Sequence, residues 1–184
     1  MTLRTDLTAL LTEAGLVDVD VDEAIADEHV RSSAYQRVVS VVAGSRSHDR
    51  DRAIVAAILR DPVEMVSKTA VVDLIDKVAM DTTDPAVFRE WSAGILTEAN
   101  RLATEGNREF IRRRVHDWSC YLSIKDGHVP GAAELAEVTD WMQRVLAEES
   151  TSLPVLALLA ESARTKKTRN IAKNRARSLE PKTK

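Results

Sequence analysis

The chain has a single cysteine, Cys120, so no disulfide can close within it and its fold must rest on packing alone. Glycine and proline are sparse, six and five in 184 residues, which argues against an all-β fold with many tight turns. Aromatic residues make up only 4%, so the core has to be built from leucine, valine, isoleucine and alanine. Long apolar runs are also missing. The longest, Leu153 to Ala160, contains a proline and is far too short to span a bilayer, so no membrane association is expected. Residues Met1 to Leu11 carry Asp6 and no apolar h-region, so no signal peptide is read there. The expected location is the cytoplasm, a reducing compartment that fits a lone thiol. There is no Gly-rich phosphate loop, no serine nucleophile elbow and no Cys/His zinc spacing. No catalytic residue, metal ligand or cofactor is therefore assigned.

What is present is globular in composition, with 44% hydrophobic and 30% charged residues. A chain of 184 residues can bury about 70% of its unfolded surface without staples. The simplest organisation is one helical domain over residues 1–163 with a basic helical extension or tail over 164–184. The net charge of −3 hides a polarity. Residues 1–30 hold eight acids (Asp6, Glu13, Asp18, Asp20, Asp22, Glu23, Asp27, Glu28) against Arg4, a net of −7. Residues 164–184 hold nine bases against Glu180, a net of +8, and the middle carries −4. Opposite charge at the two ends is the most distinctive feature of the chain.

The apolar periodicity is almost everywhere helical, predicting helix above roughly 65% and no sheet. Leu3, Leu7, Leu10, Leu11 and Ala14 form one stripe, stopped by Gly15. Val17 to Asp22 alternates with period two but has no partner strand, so it is read as an extended linker or a short stretch packed on the first helices. Further stripes begin near Asp22 or Asp27, before Ile54, at Asp61-Pro62, at Asp84-Pro85, at Gly106-Asn107, near Leu135 and at Ser152. The last is apolar to Ala163. From Arg164 to Leu179 only Ile171, Ala172, Ala176 and Leu179 remain among bases, so this end is expected to fray or project. Lys125 to Gly131 is the clearest loop. About eight helices joined by short loops make antiparallel hairpins.

Three of these helices carry a recurring pattern. Asp61-Pro62 precedes Val66-Ser67, Ala70 and Leu74. Val30-Arg31, Ala34 and Val38 follow the same spacing without Asp-Pro, and Ile111-Arg112, Val115 and Ser119 follow it loosely. The pattern resembles HEAT repeats, two-helix units with an Asp-Pro turn and a second helix reading Val-Arg-x-x-Ala-x-x-x-Leu; Ser67 departs from it. The resemblance covers residues 22 to 124 with irregular spacing. It implies an all-α chain of stacked antiparallel hairpins, a short α-solenoid, with a compact helical bundle as the alternative. It also implies an extended surface for binding proteins or nucleic acid. Stacked in order, the second helices would bring Arg108, Arg112, Arg113 and Arg114 beside the basic C-terminal segment.

Other clusters have ordinary readings. Asp18-x-Asp20-x-Asp22 resembles the start of an EF-hand loop, but Glu23 and His29 stand where Gly and Glu are needed, which leaves an acidic linker or partner-facing patch. His48, Asp49 and Asp51 read as a polar loop with Asp49 capping the next helix. Cys120 and His116 lie four apart on one helix without an oxyanion site, so the thiol reads as half-buried and inert. Trp91 and Trp118 fall in core stripes, and Trp141 at an edge. In the basic segment, Lys166, Lys167, Arg169, Lys173, Arg175 and Arg177 suit a polyanion, yet no aromatic accompanies them for base stacking.

The expected function is a non-enzymatic adaptor or scaffold that binds a protein partner through its helical surface. The alternative is a nucleic-acid-binding protein using the four arginines and the basic segment. A third is a DNA-glycosylase-like enzyme on a helical-repeat scaffold, against which the acidic N-terminal half argues. Head-to-tail self-association, basic end on acidic end, would also suit the charge layout.

Overall fold

The structure is a computed structural model that describes residues 2–180, so Lys182 and Lys184 lie outside the described residues. The fold is all-α, 75% helix with no strand among the described residues. The helices are α1 (Leu3–Glu13), α2 (Val21–Ala26), α3 (Glu28–Ala43), α4 (Asp51–Ile58), α5 (Glu64–Asp81), α6 (Pro85–Ala99), α7 (Glu105–Lys125), α8 (Ala132–Glu137), α9 (Asp140–Glu149), α10 (Leu153–Ser162) and α11 (Lys166–Leu179).

Local chemistry sets most boundaries. Gly15 takes φ +68°, as its place after α1 requires. Its N–H and that of Leu16 close back on the carbonyls of Thr12 and Leu11, the Schellman arrangement. Asp84 caps α6 by accepting from Ala86 N at 2.7 Å, with Pro85 in the first turn. The single helix expected from about Asp22 or Asp27 is two, α2 and α3. Asp20 caps α2, and Asp27 ends α2 while capping α3. The helix after Asp61-Pro62 begins later, at Glu64, because Asp61 is drawn inward and reaches only Val63 N, at 2.8 Å. Asp49 does not cap α4; its carboxylate accepts from the Ser47 hydroxyl instead.

The chain divides into two compact units, Met1–Val115 and His116–Lys184, with the boundary inside α7. In the first unit, α3 packs most extensively on α5 and α4 packs on α6. Ion pairs Asp6–Arg60 and Glu13–Arg50 set α1 antiparallel to α4. Tyr35, Val39, Val71, Leu74 and Ile75 are fully enclosed. A polar knot sits between α3 and the start of α5. Arg31 Nε donates to Asp61 Oδ2 at 2.6 Å, Tyr35 donates to the same oxygen at 3.0 Å, and Arg31 also reaches the Ala24 carbonyl at 2.9 Å. Enclosure beside that carboxylate pushes the Tyr35 phenol far above its usual range.

In the second unit, Asp117 is buried and accepts from Thr139 N at 2.9 Å and from its hydroxyl, and Thr139 in turn caps α9. Buried Gln143 donates to the Leu135 carbonyl at 2.8 Å and accepts from Arg164 N at 3.0 Å. The Arg164 guanidinium holds Asp140 at 2.6 Å and the carbonyls of Ala136 and Val138. These contacts break what reads in sequence as one last helix. The chain turns at Ala163–Thr165, and Thr165 starts α11 by accepting from Thr168 N at 3.1 Å. The segment after Arg164, expected to fray or project, is instead helical to Leu179 and packs on α9 and α10. A narrow seam suffices because Thr168 and Ala172 are small enough to let the backbones approach, and both are buried.

Candidate functional site

The acidic terminus and the basic helix have opposite fates. Four of the eight acids in residues 1–30 are matched from within the first unit. Asp6 binds Arg60 at 2.6 Å, Glu13 binds Arg50 at 2.9 Å, Asp18 binds Arg37 at 2.7 Å, and Asp22 binds Arg4. The bond from Arg60 holds the Asp6 carboxyl below its usual range, and Arg37 does the same for Asp18. Asp20 and Asp27 serve as helix caps. The calcium-like triad is thus occupied by Arg37, the α2 backbone and Arg4. Among the described residues no group of three or more His, Cys, Asp or Glu is placed to hold a metal ion.

The four arginines of α7 are likewise engaged. Arg108 binds Glu105 and the Leu102 carbonyl, Arg112 binds Glu105 at 3.0 Å, Arg113 binds Glu109 at 2.9 Å, and Arg114 lies 3.6 Å from Asp76 and beside the Phe110 ring. Their charge is balanced by carboxylates of the same unit.

On α11 the bases have no such partners. Six cations (Lys166, Lys167, Arg169, Lys173, Arg175, Arg177) stand on one helix without an acid in it, and none forms an ion pair among the described residues. Arg169 is turned inward, donating to the Ala163 carbonyl at 2.6 Å. Arg175 lies half-buried beside the seam, its Nε enclosed without an acceptor. Lys166, Lys167, Lys173 and Arg177 are exposed. At about 100° per residue, Lys166, Asn170, Lys173 and Arg177 fall within a sector of about 60°, a row about 16 Å long. Asn170 and Asn174, also exposed, share the outer side. Sequence reasoning found the bases but not this row. Its signal is the i, i+4, i+7, i+11 spacing, legible once the seam through Thr168 and Ala172 is known.

No family model, curated protein or solved structure matches this chain. Its own geometry therefore carries the functional reading. Of the bases before α11, only Arg46 and Arg89 have neither an acid nor an aromatic ring as partner among the described residues.

The remaining reactive side chains are held in structural roles. His48 Nδ1 lies 2.7 Å from Asp51 Oδ2, which also accepts from Trp91 Nε1 at 2.9 Å. Burial pushes the Asp51 carboxyl up against those two bonds. Trp91, expected in the core, is only half-buried, with its ring nitrogen donating to that carboxylate. Burial lifts the Cys120 thiol to about 11, with Glu134 and Asp117 adding to the effect, while His116 points to solvent. A thiol so placed stays protonated near neutrality and is a poor nucleophile. Trp141 is 39% exposed and meets Trp118 edge-on, with ring centres 5.7 Å apart.

Proposed function

We propose that the protein is a non-enzymatic interaction module, a HEAT-like helical scaffold that engages an anionic macromolecular partner through α11. The observation that carries this reading is the contrast in charge pairing. Except for Arg46 and Arg89, the cations before α11 are matched by acids or rings, whereas none of the six on α11 has a counter-charge among the described residues, and Lys166, Lys167, Lys173 and Arg177 face solvent. Unmatched cations in a row create a local positive field in a chain whose net charge is −3.

Two observations support the repeat reading. Arg31 and Asp61, from two copies of the sequence pattern, are bonded to each other at 2.6 Å. Helices two steps apart, α3 with α5 and α4 with α6, lie side by side as stacked hairpins would. Self-association of the basic end on the acidic end is the weaker reading, because four of the eight acids it would need already hold Arg4, Arg37, Arg50 and Arg60, and Asp20 and Asp27 cap helices. A cytoplasmic setting suits the single buried thiol.

The test is capture from extract of the native cells, with and without nuclease, by full-length protein and by Lys166→Gln/Lys173→Gln/Arg177→Gln. Wild type should retain a partner that salt elutes and that the variant fails to retain. Equal retention by the two proteins would overturn the reading.

A further inference from the structure

We infer that α11 binds the phosphate backbone of double-helical nucleic acid without regard to base sequence. The inference rests on the reading of α11 as an anion-facing surface and names its ligand.

The chemistry of the outer face selects among anionic partners. That face presents Lys166, Lys167, Lys173 and Arg177 with Asn170 and Asn174, and no apolar side chain among them. A lipid surface would need an apolar flank to enter the acyl boundary, but the apolar side of α11 is the one packed on α9 and α10. A protein partner would be anchored by aromatic or aliphatic side chains in pockets, and this face offers none. Single-stranded nucleic acid is held by stacking on aromatic rings, and α11 has no aromatic residue. Charge-assisted donors in a line, with amides between them, match phosphate oxygens and sugars, which carry position but not sequence.

Dimensions agree. Phosphates follow one another every ~3.4 Å of axis along each strand of a duplex, so a row about 16 Å long spans roughly four or five of them. Unit His116–Lys184 carries eleven bases against nine acids, a net of +2. Asp140, Glu148 and Glu134 of that unit are themselves paired, with Arg164, Arg144 and His128. Arg175, whose Nε is enclosed without an acceptor, lies on the seam side of the helix, about 170° round from the row, and is no part of this face.

The experiment measures fluorescence anisotropy of a labelled 20-base-pair duplex, as DNA and as RNA, with full-length protein at 50 and 200 mM salt. Polyglutamate and phosphatidylserine vesicles serve as competitors. Three to four phosphate contacts predict that affinity falls about 40- to 150-fold between the two salt concentrations. Lys166→Gln/Lys173→Gln/Arg177→Gln should flatten that dependence and weaken binding at least tenfold at 50 mM. Arg46→Gln/Arg89→Gln, which removes two unpaired cations elsewhere, should leave both unchanged. Thermal melts of each variant verify that folding is kept. Saturable binding of either duplex, with that pattern, supports the inference. If polyglutamate or the vesicles bind through the same three residues and the duplexes do not, the anionic-surface reading stands and the nucleic-acid assignment fails. If no polyanion binds at 50 mM salt, both fail.

Discussion

Asp61 has no exposed side-chain surface, and its two oxygens receive Arg31, Tyr35 and the Val63 amide. Removing one member of a buried pair leaves an uncompensated charge, so Asp61→Ala should cost about 3–5 kcal/mol. Tyr35→Phe removes one hydrogen bond to that carboxylate and should cost about 1 kcal/mol. Urea unfolding followed by circular dichroism measures both; a loss below about 1 kcal/mol for Asp61→Ala would show that the knot is open to water. Cys120 gives a chemical test at the same scale. With its thiol at about 11 and its side chain enclosed, it should react with a disulfide reagent at pH 8 far more slowly in the folded protein than in denaturant. The sequence reads Cys120 as a half-buried thiol, but it could not show that Glu134 and Asp117 come close enough to raise its pKa, since that depends on tertiary placement.

Helices were legible wherever a cap stood in front of a stripe. Asp84-Pro85 and Gly15 work as their residue types dictate, and Val66, Ala70, Leu74, Ile95, Ile111, Val115 and Trp118 are buried as their spacing requires. Leu74 is wholly enclosed, so Leu74→Ala should cost roughly 2–5 kcal/mol in denaturant unfolding, depending on how far the site relaxes. Breaks inside long stripes were not legible, because Thr139 and Thr165 act as caps only with Asp117 and Arg164 holding the flanking turns. The start of α7 shows the same dependence on distant residues. Glu64, at the head of α5, accepts from the amides of Ala103 and Thr104 and from Asn107 Nδ2 at 2.9 Å. These donors lower its carboxyl to about 2 from the usual 4.5. A group lowered on folding stabilises above its unfolded value and loses that effect as pH falls through its folded one. Wild type should therefore exceed Glu64→Gln in unfolding midpoint at neutral pH, and the two should converge as pH falls from about 4.5 toward 2. A constant gap across that range would assign the effect to shape rather than charge.

For the whole molecule, the charge polarity was visible in the sequence, but its meaning was not. Counting charges gave two opposed ends. Only the pairing pattern separates an acidic end, half of whose acids hold Arg4, Arg37, Arg50 and Arg60, from a basic helix whose outer face has no counter-charge among the described residues. The expected outcome is a protein whose mass by light scattering is that of a monomer at both 50 and 500 mM salt. A mass that doubles only at low salt would mean that the acidic terminus still attracts α11 of a second copy.

The outer face of α11 carries charge and amides but nothing that inserts into a partner, and this has a kinetic consequence. Long-range attraction steers encounter, so association should approach about 10⁸ M⁻¹ s⁻¹ at low salt. Departure should also be fast, because no side chain has to withdraw from a pocket. A contact of this kind keeps a partner nearby while letting it shift from one register to the next. The residence time is then set by the ionic strength of the medium more than by the fit of the two surfaces.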